Sequence, residues 1–119
     1  MEKTYLKTFE SWRDDADTIV GYLNGLEKDE DIYPSFGKKI RKIIFFDKEM
    51  DPVITVELDR IDMGGVKPLD DPKVYIDQEK FNFLREITEL SDNAIKKIIK
   101  RYIESKLGGK EIKDILLSF

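Results

Sequence analysis

The stretch at residues 71–90 constrains the fold of this chain most strongly, because it joins a strand to a helix without an intervening loop. Val74, Tyr75 and Ile76 follow Pro72 and are typical of a half-buried strand. Asp77 then offers a carboxylate to the free N–H groups at the start of a helix. Apolar side chains recur behind it at helical spacing, at Phe81, Leu84, Ile87 and Leu90. The sequence therefore predicts a strand followed directly by a helix that packs on the sheet.

Composition narrows the range of functions. The chain has 119 residues, enough for one domain with a buried core, and we expect residues 1–119 to form a single domain. It contains no cysteine and no histidine, which excludes thiolate chemistry and removes the commonest general base and metal ligand. A net charge of −4 argues against a nucleic-acid partner, because that binding depends on concentrated positive charge. We expect no cofactor, no metal and no catalytic residue.

Hydropathy along the chain predicts where in the cell the protein is found. Residues 1–6 lack the apolar centre of a signal peptide, and the longest unbroken apolar run, residues 43–46, is too short to span a bilayer. We therefore expect a soluble, cytoplasmic protein without stable membrane insertion.

The first third of the chain favours helix. Apolar residues three or four apart predict one long amphipathic helix, at Tyr5, Leu6, Phe9, Trp12, Ala16, Ile19, Val20, Leu23 and Leu26. Gly21 inside this helix weakens it, and Gly25 suits its end. Residues 28–31 are expected to form a charged connector, and residues 32–36 around Pro34 a turn of helix.

The middle of the chain favours strands. Residues 38–47 are predicted to form a strand that becomes more buried toward its end, with a turn at residues 48–51. Residues 52–59 alternate between apolar and polar side chains and should pair antiparallel with it. Residues 61–68 predict a poorer strand, broken at Gly64 and Gly65.

The end of the chain favours helices again. Ser91 is a plausible helix start, and apolar spacing predicts a helix as far as Leu107. Residues 101–107 also alternate as a strand would, so both alternatives stay open here. Residues 110–119 predict a short amphipathic helix. The expected fold class is α+β: a mixed, mainly antiparallel sheet of about five strands, covered by helices on one face, with a long N-terminal and a short C-terminal helix.

Charged clusters have ordinary explanations. The acidic residues Asp14, Asp15 and Asp17 lie on the polar face of the predicted helix. Those at residues 29–31 lack the glycine and distal glutamate of a calcium loop, so both groups fit a solvated surface. The basic residues at 38–42 would suit anionic head groups, but a solvated face is the simpler interpretation.

The order of elements and the sequence Asp71-Pro72-Lys73-Val74-Tyr75-Ile76-Asp77, leading to Phe81 and Leu84, resemble the sterol carrier protein family of lipid-binding domains. The similarity is clearest over residues 40–87. It implies a strand at residues 102–109, a closing helix at residues 110–119, and an apolar tunnel for sterols, fatty acyl chains or phospholipids between sheet and helices.

Two hypotheses of different classes follow. The first is a non-enzymatic carrier of an apolar or lipid ligand, in which Phe119 acts as a movable lid. Its candidate cavity residues are Phe46, Ile54, Val56, Leu58, Ile76, Phe81, Leu84 and Phe119. The second is a protein–protein interaction domain or accessory subunit, with a protein partner or a homodimer, in which the same residues fill a core. An enzyme ranks third, because only carboxylates, tyrosines and lysines remain for chemistry.

Overall fold

A computed structural model describes the backbone of residues 9–118 and the side chains of residues 14–118. Over this range the elements follow one another as α1 (Phe9–Asn24), β1 (Glu27–Ser35), β2 (Lys38–Phe46), β3 (Pro52–Asp62), β4 (Gly65–Asp77), α2 (Gln78–Ile87), α3 (Asp92–Lys106) and β5 (Ile115–Ser118). None of these helices is both long and apolar enough to cross a membrane.

The strands form one mixed sheet in the order β1-β2-β3-β4-β5. The first four are antiparallel neighbours along the chain, and β5 is parallel to β4. Pairing places Phe45, Ile54 and Ile76 in one row across the sheet. These side chains are almost completely buried in one core with residues of the three helices, such as Ile19 and Ile99. The helices therefore cover the face of the sheet that carries this row.

Two helix starts that the sequence predicts are confirmed. The Asp77 carboxylate accepts a hydrogen bond from the Lys80 backbone N–H at 3.2 Å, and the Ser91 hydroxyl accepts one from the Ala94 N–H at 3.2 Å. Each side chain satisfies a donor that the first helical turn leaves free. Helix α3 continues to Lys106 and Leu107 is its C-cap, so the strand alternative for residues 101–107 is wrong.

The predicted fold class is wrong at both ends of the chain. A long N-terminal helix reaching Leu26 is not seen in the described residues, where α1 has 16 residues and ends at Asn24. Tyr5 and Leu6 lie outside the described part of the chain. The short C-terminal helix is replaced by β5. The apolar spacing of residues 110–119 fits a helix. A strand at this place instead pairs with the open edge of β4, so that the backbone N–H and C=O groups of this edge are hydrogen-bonded.

The prediction for residues 28–36 is also wrong, because residues 28–35 belong to β1 and Phe36 to the turn that follows it. This strand is mostly exposed and pairs with β2 over its whole length, with Asp31 opposite Lys42. An edge strand tolerates charged side chains and a proline such as Pro34. Its pairing therefore comes from the neighbouring strand rather than from its own hydropathy.

The predicted broken strand at residues 61–68 is divided between two strands. Gly64 lies in the turn between β3 and β4, and β4 is a single strand from Gly65 to Asp77.

The two hairpins extend beyond the helices. The molecule measures 58 × 28 × 23 Å, and its radius of gyration of 16.0 Å exceeds the roughly 13.5 Å of a compact chain of this length. Because β1 to β4 alternate in direction, the β1–β2 turn and the β3–β4 turn lie at the same end of the sheet. The helices join the strands at the other end.

Arg41 and Asp59 tie these two hairpins together. The Asp59 carboxylate is buried and accepts hydrogen bonds from the Arg41 backbone N–H at 2.9 Å and from its guanidinium at 2.7 and 3.0 Å. The hydrogen bond from the guanidinium is the main reason that the pKa of Asp59 is lowered. This contact joins β2 to β3 just beyond the last pair of their register, Lys42 and Glu57, and next to an irregularity in the pairing of β3 with β4.

We expect Asp59→Asn to lower the free energy of unfolding by about 2 kcal/mol at neutral pH, since charge-assisted hydrogen bonds are lost. The pKa of Asp59 is lower in the folded than in the unfolded state. The ionised Asp59 carboxylate therefore stabilises the folded state at any pH above its pKa in the unfolded chain. This contribution is lost as the pH falls through its pKa in the folded protein. Urea unfolding from pH 7 downward should show the difference between variant and wild type shrinking below about pH 4.

The control for this measurement is Asp71→Asn. Asp71 pairs with the exposed Lys113 at 3.1 Å, and losing such a pair should change the free energy of unfolding by less than about 0.5 kcal/mol. Equal losses for the two variants, or a D59N deficit that persists in acid, would contradict the role given to Asp59.

The β1–β2 turn contains an unfavourable residue. Phe36 has a φ of +48° and Gly37 a φ of +75°, the left-handed pair of a type I′ turn, which favours Asn-Gly. The Phe36 side chain is 95% exposed, so packing does not compensate for its backbone strain. We expect Phe36→Asn to raise the free energy of unfolding by about 1 kcal/mol. Urea unfolding checks this, and a lower unfolding midpoint would contradict it. Phe83→Asn, at a helical phenylalanine that contacts Tyr22, should instead destabilise the protein.

Candidate functional site

A cleft of about 620 Å³ lies between the end of α1, the start of α2 and the β2–β3 turn. We refer to it as the α1–α2 cleft. Its lining residues are Gly21, Tyr22, Gly25, Leu26, Asp47, Lys48, Glu49, Glu79, Lys80 and Phe83. Its volume is in the range of small-molecule sites in proteins.

Aromatic rings form part of the cleft wall. Tyr22 on α1 and Phe83 on α2 pack with their ring centroids 5.8 Å apart and their planes tilted by 50°. Tyr22 is half-buried and Phe83 is 43% exposed. Burial is the main reason that the pKa of Tyr22 is raised, while nearby Lys80 opposes the shift. The wall is therefore apolar, with a neutral phenol at pH 7.

Gly21 keeps the cleft open from the α1 side. It lies in the interior of α1, and a Cβ atom placed on it would have no other atom within 4 Å. Gly25 differs, because its Cβ would meet the Tyr22 carbonyl oxygen at 3.4 Å. No steric contact thus requires glycine at position 21, although glycine inside a helix lowers its stability.

Lys80 and Asp47 form the polar side of the cleft. The Lys80 ammonium lies 2.7 Å from the Asp47 carboxylate and 3.5 Å from that of Asp51. Asp47 also accepts the backbone N–H groups of Glu49 and Asp51, at 2.9 and 3.0 Å, and so fixes the β2–β3 turn. The hydrogen bond between the two side chains is the main cause that lowers the pKa of Asp47 and raises that of Lys80. Both groups therefore stay charged near neutral pH.

Carboxylate oxygens of Asp47, Glu49 and Asp51 lie within 4.8 Å of one another, which is a spacing that a metal ion could bridge. The Lys80 ammonium already contacts two of these residues. The Lys80 ammonium thus supplies the positive charge that balances these carboxylates, and nothing else about the three residues indicates a metal ion.

The candidate cavity residues lie elsewhere. Ile54, Val56, Ile76, Phe81 and Leu84 are completely buried and belong to the core between sheet and helices. Leu58 packs against this core, and Phe46 is partly buried. None of these seven lines the α1–α2 cleft. Phe119 lies outside the described residues.

Sequence reasoning did not single out Tyr22, Asp47 or Lys80 as functional residues, and Phe83 is not among its candidate cavity residues. One signal was visible, because Gly21 interrupts an otherwise continuous helical pattern. The positions of the charged residues around it depend on the tertiary fold.

No protein family model matches this chain, and no curated protein or solved structure does either. The comparisons therefore give no family for the chain, and the resemblance to sterol carrier proteins stays a prediction.

We expect Gly21→Ala to raise the free energy of unfolding by about 0.5–1 kcal/mol, because alanine favours the helix and its methyl group enters open space. Gly25→Ala should bring a smaller gain, since its methyl group meets a backbone oxygen. Thermal or urea unfolding checks both variants. Destabilisation by G21A would mean that the space beside Gly21 is not open.

Proposed function

We propose that this protein is a non-enzymatic binding protein for a small ligand with an apolar body, held in the α1–α2 cleft. The observation that carries this proposal is the open space at Gly21. A helix-interior glycine lowers stability without a steric need, beside a cleft of ligand size. Residues that violate a local preference in this way are often found at functional sites.

The wall of the cleft indicates the body of the ligand. Tyr22, Leu26 and Phe83 present apolar surface, and removal of such surface from water drives the binding of apolar groups. Aromatic side chains add area and preferred stacking geometry. An alkyl chain or a flat ring fits this surface better than a strongly polar molecule does.

Charge around the cleft indicates the head of the ligand. Three carboxylates line it, from Asp47, Glu49 and Glu79, against two ammonium groups, from Lys48 and Lys80. Lys80 is already paired with Asp47 and Asp51. The excess of negative charge disfavours a carboxylate head, so a neutral or cationic amphiphile suits the cleft better than a fatty acid.

The same charges support a binding role rather than catalysis. A general acid or base works best with a pKa near the working pH. Here the contact between Asp47 and Lys80 moves both pKa values away from neutrality.

A protein–protein interaction domain is the second candidate. Complete burial of Ile54, Val56, Ile76, Phe81 and Leu84 in one core supports it, because that hypothesis expects these residues to fill the interior. It gives the α1–α2 cleft no ligand, so measurements of small-molecule binding distinguish the two functions.

The test is binding of Nile red, a neutral apolar dye, followed by its fluorescence. We expect Gly21→Leu to weaken binding by at least about tenfold, because the leucine side chain occupies the cleft. Gly21→Ala is the matched control and should bind within about threefold of wild type. Neither variant should unfold more readily than wild type, since both replace glycine inside a helix.

Competition with dodecyl compounds then tests the head group. Dodecylamine and dodecanol should displace the dye at lower concentrations than dodecanoate. Absence of Nile red binding to wild type, or equal binding to the G21L and G21A variants, would refute a ligand site in this cleft. Displacement by dodecanoate at the lowest concentration would refute the assignment of the head group alone.

A further inference from the structure

The end of the sheet opposite the helices exposes apolar side chains. Phe36 at the β1–β2 turn is 95% exposed, and Met63 at the β3–β4 turn is fully exposed. Ile32, Ile61 and Val66 behind these turns are between 38% and 56% exposed. We refer to residues 32–41 and 59–68 together as the hairpin tips. Ile40 is buried, but none of the residues of the tips belongs to the main cluster of buried side chains between sheet and helices.

Backbone strain at Phe36 is a second, independent observation. A bulky residue with a φ of +48° is uncommon, and here its ring gains nothing from packing. Strained residues of this kind cluster at functional sites. The turn places the aromatic ring at the very end of the β1–β2 hairpin.

The hairpin tips are basic although the whole protein is acidic. They contain five cations, at Lys38, Lys39, Arg41, Arg60 and Lys67. They contain two carboxylates, Asp59 and Asp62, which gives a net charge of +3 against −4 for the chain. Asp59 is paired with Arg41, and Asp62 lies 3.5 Å from Arg60 and 3.7 Å from Lys67. Among the described residues, Lys38 and Lys39 are in no ion pair.

The nearest further charges along β1 and β2 offset each other. Asp31 borders the tips and lies directly opposite Lys42 in the pairing of β1 with β2. Counting both residues leaves the net charge at +3. A surface that meets the hairpin tips therefore experiences mainly their positive charge.

We propose that the hairpin tips bind reversibly to an anionic membrane surface, with Phe36 and Met63 inserted among the lipid head groups. Exposed apolar side chains on two protruding turns, bordered by lysine and arginine, match the two forces that hold peripheral proteins on anionic bilayers. This binding requires no transmembrane segment, and it does not depend on the α1–α2 cleft, which lies at the other end of the sheet.

The experiment is co-sedimentation of the full chain with phosphatidylcholine vesicles that contain either no phosphatidylserine or about 30% of it. We expect binding to the anionic vesicles only, and loss of this binding in about 0.5 M salt, because the electrostatic part is then screened. Binding of wild type to neither vesicle, or equally to both, would overturn the proposal. Selective binding to a protein partner without vesicle binding would overturn it as well.

Variants separate the apolar and the basic contributions. Phe36→Asn combined with Met63→Ser should weaken vesicle binding more than about tenfold, although the asparagine suits the turn better. The matched control is Met50→Ser, since Met50 is 65% exposed in a turn at the opposite end.

Lys38→Ala with Lys39→Ala should weaken binding about 25-fold, because each lysine near the membrane surface contributes about a fivefold gain in affinity. Its control, Lys97→Ala with Lys110→Ala, removes the same charge elsewhere. Equal losses in a variant and its control would overturn the proposal.

Discussion

One apolar layer holds this structure together, and it covers only part of the sheet. Ile54, Val56 and Ile76 meet the helices through Phe81, Leu84 and side chains of α1 and α3. Strands of 11 and 13 residues extend about 37 and 44 Å, whereas the 16 residues of α1, the longest of the described helices, span about 24 Å. The strands therefore extend past their cover, and the free ends of the hairpins must be stabilised by their own ladders and by polar contacts.

The contact between Arg41 and Asp59 becomes important for this reason. It lies where direct pairing between β2 and β3 has ended. A buried carboxylate is unfavourable unless it is hydrogen-bonded, and here a backbone N–H and a guanidinium both donate to it. Since Arg41 is half exposed, the pair keeps part of its hydration while it fixes the two hairpins relative to each other.

Local signals were enough to predict some elements and not others. The alternation of residues 52–59 and the carboxylate at Asp77 act within a few residues, and both β3 and the start of α2 follow from them. Strand β1 is acidic and exposed, and its hydrogen bonds come from β2, so its own sequence does not reveal it. For β5, apolar spacing fits both a helix and a short strand, and the open edge of β4 decides between them.

The candidate site could not be predicted from the sequence for a related reason. Hydropathy identifies residues that leave water, but it does not tell whether they surround a ligand or one another. Ile54 and Phe81 are completely buried in the core, and the cleft lies instead where α1 and α2 meet the β2–β3 turn. Its aromatic and charged residues come from three separate segments. Only Gly21 disturbed a local pattern, and its meaning depends on the open space that the tertiary structure leaves beside it.

The two proposed sites together restrict the kind of ligand. The nine residues of β2, about 30 Å when extended, separate the β1–β2 turn from the Asp47 side of the cleft. A molecule bound to a membrane by its hairpin tips therefore holds the α1–α2 cleft away from the bilayer. A ligand that never leaves the bilayer, such as a sterol, has no direct path into that cleft, whereas an amphiphile with a neutral or cationic head can reach it through water. The acidic surroundings of the cleft favour the same class of ligand, and this argument does not depend on the proposed membrane contact.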